Sequence, residues 1–213
     1  MKKRNLYFLF FGLMVVLLTI DQVLKFWVKT SFVLGEQMPV LGQWFNLFFI
    51  ENEGMAFGIH WGEQAGKLLL SLLRLAIAGG LIWLVLRWIK QQQIGVFMLI
   101  VFSVILSGAL GNIVDSLFYG LIFSESTPGV VAVFLPENGG YGHFLYGKVV
   151  DMFYLKLFLL PEWVPLWGGS YFFPAIFNFA DACVTVGLVA LLICNKKIPF
   201  LGKQKDSNEP MAT

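Results

Sequence analysis

The chain has 213 residues, of which 58% are hydrophobic and only 13% are charged, and its mean hydropathy is +0.76. A soluble domain carries about 25% charged residues, and a small domain has too much surface for its volume to hide this much apolar side chain. The composition therefore excludes a soluble domain, a disordered chain and a disulfide-stabilised scaffold, and it indicates an integral membrane protein. The net charge of +2 and the absence of a basic run argue against a nucleic-acid partner.

Four apolar segments are long enough to cross a bilayer, which takes roughly 20 helical residues. The predicted spans cover residues 6–26, 68–88, 94–118 and 177–194. The first span follows basic residues as a signal peptide does, but it has no small-residue cleavage site, so we expect it to be a retained anchor. We expect residues 1–198 to form one membrane domain and residues 199–213 to form a polar cytoplasmic tail.

Basic residues predict the orientation of these spans. Nine of the 15 Lys and Arg residues flank one side of the membrane: Lys2, Lys3, Arg4, Arg87, Lys90, Lys196, Lys197, Lys203 and Lys205. Basic flanks favour the cytoplasm, and an even number of spans then places both termini there. The two long connections, residues 29–67 and 119–176, therefore face outward.

The outward connections predict some structure at the membrane surface. Residues 43–50 are rich in aromatic and β-favouring types, which predicts one or two short strands. Aromatic residues recur over residues 152–167, and we expect an interfacial helix there. We expect residues 119–148 to form a partly flexible lid. The predicted fold class is all-α membrane, with four transmembrane helices, a small β element and an interfacial helix on the outer face.

Four aspartates gather at the outward ends of the predicted spans: Asp21, Asp115, Asp151 and Asp181. Ionisable residues at a membrane are costly and are functional candidates by default. Two carboxylates held close in a poorly solvated site share one proton, and such a pair can hydrolyse an amide bond. The chain has no zinc motif, serine-nucleophile motif or nucleotide-binding loop, so we expect no cofactor. The residues alone leave open which two of Asp115, Asp151 and Asp181 would act together.

Two asparagines accompany these acids at helical spacing. Asn112 precedes Asp115 by three residues, and Asn178 precedes Asp181 by three, so each amide shares a helix face with its carboxylate. Such an amide can orient the acid or bind a substrate backbone, but it can equally join packed helices. Small residues just before Asn112 would let another backbone approach closely.

Asp21 and Lys25 are four residues apart and can pair on one helix face, either as a structural ion pair or as part of a substrate site. Beside an aspartic protease, the residues leave open a proton-coupled transporter and a non-catalytic assembly subunit. Transporters are typically built from repeats with broken helices at the midplane, and the chain has no such repeat.

Five short blocks occur in order along the chain: DQVLK at 21–25, NEGMAF at 52–57, GALGNIVD at 108–115, VVDMF at 149–153 and FNFAD at 177–181. Together they resemble the bacterial lipoprotein signal peptidases, also called signal peptidase II, over residues 21 to about 194. The resemblance implies an aspartic intramembrane protease of the bacterial inner membrane with its active site on the outer face. Its partners would be membrane lipids and prolipoproteins, cut at the bond before a diacylglyceryl-cysteine.

By the family pattern, Asp151 and Asp181 would be the catalytic pair. The resemblance further implies a substrate site lined by Asn52, Gly54, Asn112 and Asn178 and supported by Asp21, Lys25 and Asp115. Two residues depart from the pattern, because Ser116 stands where Arg is usual and Glu51 stands where His is frequent. We expect the local contacts at these two positions to differ.

Overall fold

The structure is a computed structural model that describes residues 2–53 and 63–194. Its helices are α1 (Lys3–Ser31), α2 (Glu63–Gln91), α3 (Val96–Val114), α4 (Gly120–Ile122) and α5 (Phe179–Ile193). A π-helical turn, Asp115–Tyr119, joins α3 to α4. The strands are β1 (Gln37–Leu41), β2 (Phe45–Asn52), β3 (Val149–Leu155) and β4 (Ile176–Phe177).

Three helices in the described chain are long and apolar enough to cross a membrane: Lys3–Ser31, Gly66–Gln91 and Val96–Ile122. Helix α5 has 15 residues and is shorter. The polar tail predicted at residues 199–213 lies outside the described residues.

Helix α1 buries one face and exposes the other. Leu6, Phe10 and Met14 recur every four residues and are buried, and they pack in a core with residues of α2 and α3. Phe8 and Val15, on the opposite side, are largely exposed. An apolar side chain that the protein leaves uncovered on such a helix is suited to contact lipid, since the bilayer core is itself apolar.

Helix α5 packs closely on α3 because glycines remove side chains from the contact. A Cβ atom on Gly108 would collide with the carbonyl oxygen of Ala180, and one on Gly111 would lie 2.5 Å from Oδ2 of Asp21. The close approach of another backbone that the small residues before Asn112 predict is therefore confirmed at Gly108, while Gly111 makes room for the side chains of Asp21 and Ala180. It brings the first turn of α5 against both α3 and α1.

The strands of the described chain form one antiparallel sheet in the order β1-β2-β3-β4. The short strands predicted at residues 43–50 are confirmed, since most of this segment lies in β2. Ile50 of β2 lies opposite Asp151 of β3, so the sheet carries that acid next to the helices. Phe153 of β3 lies opposite Phe177 of β4, which leads directly into α5.

The interfacial helix predicted at residues 152–167 is wrong. Residues 152–155 belong to β3, and residues 156–175 contain turns and an isolated bridge between Leu159 and Tyr171, with no helix. Hydrogen bonding to β2 extends the start of this segment, and Pro161 and Pro165 oppose a helix in the rest. Aromatic composition alone could not distinguish these outcomes.

Residues 119–148 fold back along the end of α3. Backbone N–H groups of Tyr141, Gly142 and Gly147 donate to carbonyl oxygens of Phe123, Gly120 and Ser116, at 2.8 to 2.9 Å. Phe123 is fully buried among aromatic side chains. The segment that we expected to form a lid is therefore tied to the helix end by both backbone and side chains.

Candidate functional site

Two aspartates enter the site from different elements. Asp151 lies within β3 and is 2% exposed. Asp181 lies in the first turn of α5, and Asn178 is the N-cap of this helix and forms a capping box with Asp181. The backbone N–H of Asp181 donates to Oδ1 of Asn178 at 2.9 Å, and the backbone N–H of Asn178 donates to Oδ2 of Asp181 at 3.2 Å. The three-residue spacing of Asn178 and Asp181 therefore allows the capping box at the junction of β4 and α5, and this capping box orients the Asp181 carboxyl group.

Two amides connect these carboxylates. Nδ2 of Asn178 donates to Oδ1 of Asp151 at 2.6 Å, and Nδ2 of Asn112 donates to Oδ1 of Asp181 at 2.8 Å. The amides also contact each other, because Nδ2 of Asn178 lies 3.1 Å from Oδ1 of Asn112. The arrangement holds both acids in defined orientations around one polar centre.

A buried lysine completes this centre. Nζ of Lys25 lies 2.8 Å from Oδ1 of Asn112, 2.8 Å from Oδ2 of Asp115 and 3.0 Å from Oδ2 of Asp21. An ammonium has three donors, and each has an acceptor here. Oδ1 of Asp21 also accepts a bond of 2.9 Å from the backbone N–H of Ala180. The predicted pair of Asp21 and Lys25 therefore joins α1 to α3 and α5.

Gln22 is a further residue of the site that the sequence did not single out. Its Nε2 donates to Asp115 at 2.9 Å and to Asp21 at 3.1 Å, and its Oε1 accepts a bond of 3.2 Å from the hydroxyl of Tyr119. One feature of the sequence could have indicated Gln22: it is an uncharged polar residue next to an acid in a predicted membrane span. Its hydrogen bonds must be satisfied inside the protein, because lipid offers no partner.

Asn52 and Gly54 were predicted to line the same site. Asn52 ends β2, and its Nδ2 lies 3.4 Å from Oδ2 of Asp151. Gly54 lies outside the described residues. Asp115, one of three candidates for the acid pair, is fully buried against Lys25 and Gln22. Its Oδ2 also accepts a bond from the backbone N–H of Val150 at 3.3 Å, which links the π-helical turn to β3.

The two departures from the family pattern have separate contacts. Ser116 is buried, and its hydroxyl donates to the carbonyl oxygen of Asn112 at 3.0 Å. Glu51 is buried and pairs with Lys29, while the hydroxyl of Ser126 donates to Glu51 at 2.9 Å. Nζ of Lys29 is also 3.0 Å from the hydroxyl of Ser126. Glu51 therefore joins α1 and β2 to Ser126 in the segment 119–148.

The surroundings of Asp151 change its acidity. Burial raises the pKa of the Asp151 carboxyl to about 7, and the charge of Asp181 acts in the same direction. Hydrogen bonds from Asn178 and Asn52 oppose this rise because they favour the carboxylate. A carboxyl group with this pKa can hold a proton near neutrality and release it during a reaction.

A cavity of about 330 Å³ opens beside Asp181. It is lined by three helices through Arg74, Ile77, Ala109, Asn112, Asp181, Val184 and Thr185. The polar centre thus borders a space that Ile77, Ala109 and Val184 line with apolar side chains, and an acid next to such a space can act on a bond that enters it. Among the described residues, no group of three His, Cys, Asp or Glu side chains is arranged to hold a metal ion.

Comparisons with known proteins agree with this architecture. The family model described as Signal peptidase (SPase) II matches residues 13–196. A lipoprotein signal peptidase of Porphyromonas gingivalis is 47% identical over 187 residues, which cover 86% of this chain and 80% of that protein. A lipoprotein signal peptidase of Amoebophilus asiaticus is 37% identical over 197 residues, with 88% and 77% covered.

A solved structure of a bacterial membrane enzyme at 1.9 Å resolution superposes with a TM-score of 0.59. The two chains are 24% identical, and the match covers 88% of this chain and 92% of the other. At this identity the likeness concerns the fold.

Proposed function

The chain belongs to the signal peptidase II family of membrane-embedded lipoprotein-processing proteases, and we propose that it is an aspartic endopeptidase. Its substrate is a diacylglyceryl-modified prolipoprotein, which it cuts at the bond before the lipidated cysteine. Asp151 and Asp181 are the catalytic pair. The observation that carries this proposal is the pair of amides, Asn112 and Asn178, that joins the two carboxylates beside a cavity between helices.

The reaction requires one proton on the pair and one water molecule. Asp181, as the carboxylate, takes a proton from the water, and the water oxygen attacks the scissile carbonyl carbon. Asp151, as the acid, donates its proton to the carbonyl oxygen, and a tetrahedral diol forms. Asp151 then takes a proton back from one hydroxyl as the carbon–nitrogen bond breaks, and Asp181 gives its proton to the leaving amine. Both acids return to their starting states.

The remaining residues hold the pair and the substrate. Asn52, Asn112, Asn178 and Gly54 line the substrate site in this proposal. Asp21, Lys25 and Asp115 support it, since their bonds join the helices that carry the amides and Asp181. The substrate helix enters laterally from the lipid, which is the second partner.

The proposal includes a topology in the bacterial inner membrane. Residues 1–198 form one membrane domain with spans near 6–26, 68–88, 94–118 and 177–194, and α5 contributes the fourth span. Both termini, including the tail at 199–213, lie in the cytoplasm, and the acids act at the outer face. The basic flanks of the spans support this orientation.

A cleavage assay tests the acid pair. Purified protein in lipid vesicles is incubated with a diacylglyceryl-modified prolipoprotein, and the product is followed on a gel. We expect D151N and D181N each to lose at least about a hundredfold in rate, because each removes a proton-transfer group. E137Q, which changes an exposed acid of the outer segment to an amide, serves as the matched control. Cleavage at the wild-type rate by either aspartate variant would overturn the proposed pair.

The pH dependence gives a second test. Asp151 must be protonated to act as the acid, and its pKa is raised to about 7. We therefore expect kcat/KM to fall as the pH rises through about 7, since the proton is then lost. A profile that stays level from pH 6 to about pH 9 would contradict the role of Asp151.

A further inference from the structure

Arg74 is a charged residue within a membrane-capable helix. It lies in Gly66–Gln91, eleven residues after the start of α2, which is about 16 Å along the helix axis. It is the only charged residue between Leu68 and Leu86. A cation within a span is costly and normally faces a partner or a cavity inside the protein. Arg74 has no role in the proposed reaction as described above.

The position of Arg74 relates it to the acid pair. It lines the same cavity as Asn112 and Asp181, and it is the only cation among the described residues that do so. Among the side chains that the structure describes, residues 2–53 and 66–194, no carboxylate lies within ion-pair distance of its guanidinium. Arg74 thus acts on the acids through the cavity, and the carboxylates with which it interacts electrostatically are Asp181, Asp151 and Asp115.

The charged groups near the acid pair come from several elements of the site. Lys25 and Asp21 lie on α1, Asp115 follows α3, Asp151 lies on β3 and Arg74 lies on α2. Lys25 already faces the carboxyl groups of Asp21 and Asp115. An acid pair that holds one proton carries one negative charge nearby. Arg74 offsets this charge from the side of the cavity, where poor solvation strengthens the interaction.

We propose that Arg74 is a positioning residue that keeps the negative charge of the acid pair on Asp181, so that the shared proton lies on Asp151. This inference rests on the proposed function and deepens it. Asp181 lines the cavity with Arg74, so it receives more of this stabilisation than Asp151. A cation near one member of a coupled pair favours ionisation of that member and leaves the proton on the other.

The pH profile of kcat/KM separates this role from a structural one. Below a certain pH both acids are protonated, and kcat/KM falls; this is the acidic limb of the profile. Removing the cation makes the pair harder to ionise, so in R74Q we expect this limb to move up by about one pH unit. At a pH below the limb, kcat/KM of R74Q should then be about tenfold lower than that of the wild type. R74K keeps the charge and should keep a profile close to that of the wild type. R87Q removes an arginine from the other end of the same helix and serves as the control. Thermal unfolding of each variant checks the fold.

Two activity results would overturn the inference. One is an R74Q profile with limbs at the wild-type pH, whether or not its height changes, because a height change alone indicates substrate contact or structure. The other is an R74K profile shifted as far as that of R74Q. Cleavage by neither the wild type nor any variant would instead refute the proposed function.

A readout without substrate tests Arg74 independently of activity. Protein labelled with ¹³C in its aspartate carboxyl carbons is studied by NMR at a pH where the pair holds one proton, with D151N used to assign the Asp151 signal. In the wild type and R87Q we expect that signal near the position of a protonated carboxyl, and in R74Q we expect it closer to the position of a carboxylate, because the proton is then shared with Asp181. The same position in R74Q and the wild type would overturn the inference.

Discussion

Lys25 and Lys29 lie one turn apart on α1, and both are completely buried, but they belong to different clusters. Lys25 contacts two carboxylates and the Asn112 amide, which belong to α1, α3 and the π-helical turn. Lys29 contacts one carboxylate, that of Glu51, together with the hydroxyl of Ser126 and two aromatic rings. The first cluster joins the elements that hold the acid pair, and the second joins α1 and the sheet to Ser126 in the segment 119–148.

The clusters also differ in how well their polar atoms are satisfied. Asp21 and Asp115 accept bonds from Lys25, Gln22 and backbone N–H groups on their two oxygens. In the second cluster, Oε2 of Glu51 is buried with no hydrogen-bond partner within the described part of the chain. An incompletely paired buried charge contributes less to stability because its desolvation is not fully offset. The comparison teaches that equal burial of two lysines does not imply equal roles.

The largest effect is expected for K25M. This change leaves Asp21 and Asp115 buried without their cation, and breaking a buried ion pair costs about 3–5 kcal/mol. It also removes one of the two hydrogen bonds to Oδ1 of Asn112 and leaves that of Asn178, so the amide that holds Asp181 loses its anchor on α1, and we expect cleavage activity to be lost even in the protein that folds. Chemical unfolding in detergent and the cleavage assay measure the two effects. Activity close to that of the wild type would show that the first cluster is only structural.

K29M makes the same substitution one turn away and should have a smaller effect. It leaves Glu51 uncompensated, so we expect a loss of about 3 kcal/mol in the free energy of unfolding. Glu51 is linked to the acid pair through the next residue, Asn52, whose Nδ2 lies 3.4 Å from Asp151. A displacement of Glu51 should move Asn52 only slightly, so we expect the rate per folded molecule to remain within about tenfold of the wild type. A complete loss of activity in folded K29M would remove the distinction between the clusters.

The double variant K29M/E51M tests whether the second cluster can be replaced by apolar contacts. A buried ion pair exchanged for apolar side chains of similar size is often neutral in stability. We therefore expect the double variant to regain most of the stability that K29M loses.

The corresponding double variant of the first cluster, K25M/D115L, should remain inactive in cleavage, because Asp115 also accepts hydrogen bonds from Gln22 and Val150. Recovery of activity in that pair would contradict the comparison.

S126A should give the smallest change. The hydroxyl of Ser126 bridges Lys29 and Glu51, but these two also contact each other directly. We expect a loss of about 1 kcal/mol in the free energy of unfolding, the typical contribution of one hydrogen bond. Cleavage should be unchanged. A loss as large as that of K29M would indicate that the packing of residues 119–148 depends on this hydroxyl.

Helical periodicity allowed several features to be predicted. The spacing of Asp21 and Lys25 predicted their contact, and the spacing of Asn178 and Asp181 predicted a shared helix face, which the structure realises as a capping box. Both predictions concern residues within one turn, where helix geometry alone brings side chains together. The same reasoning could not pair Lys29 with Glu51, which are 22 residues apart and lie in different elements.

The segment at residues 152–167 shows what composition alone cannot predict. The aromatic residues at 152–167 predicted an interfacial helix, but the start of this segment is strand β3, which lies between β2 and β4. Strand pairing depends on a partner distant in the chain, so a local pattern cannot reveal it. Sequence patterns missed Gln22 and Arg74 for the same reason. The residues that they contact, or with which they share a cavity, lie on elements distant in the chain.

Composition and helix length were sufficient to predict a membrane protein, because both are local quantities of the chain. Charge placement further predicted that the acids lie near the same ends of the spans. How the acids divide into two groups depends on the tertiary structure. It packs Asp115 against Lys25 and Gln22, and it connects Asp151 to Asp181 through Asn178 and Asn112. The physical reason is that a buried carboxylate takes its properties from the donors and charges around it, and these come from four separate elements.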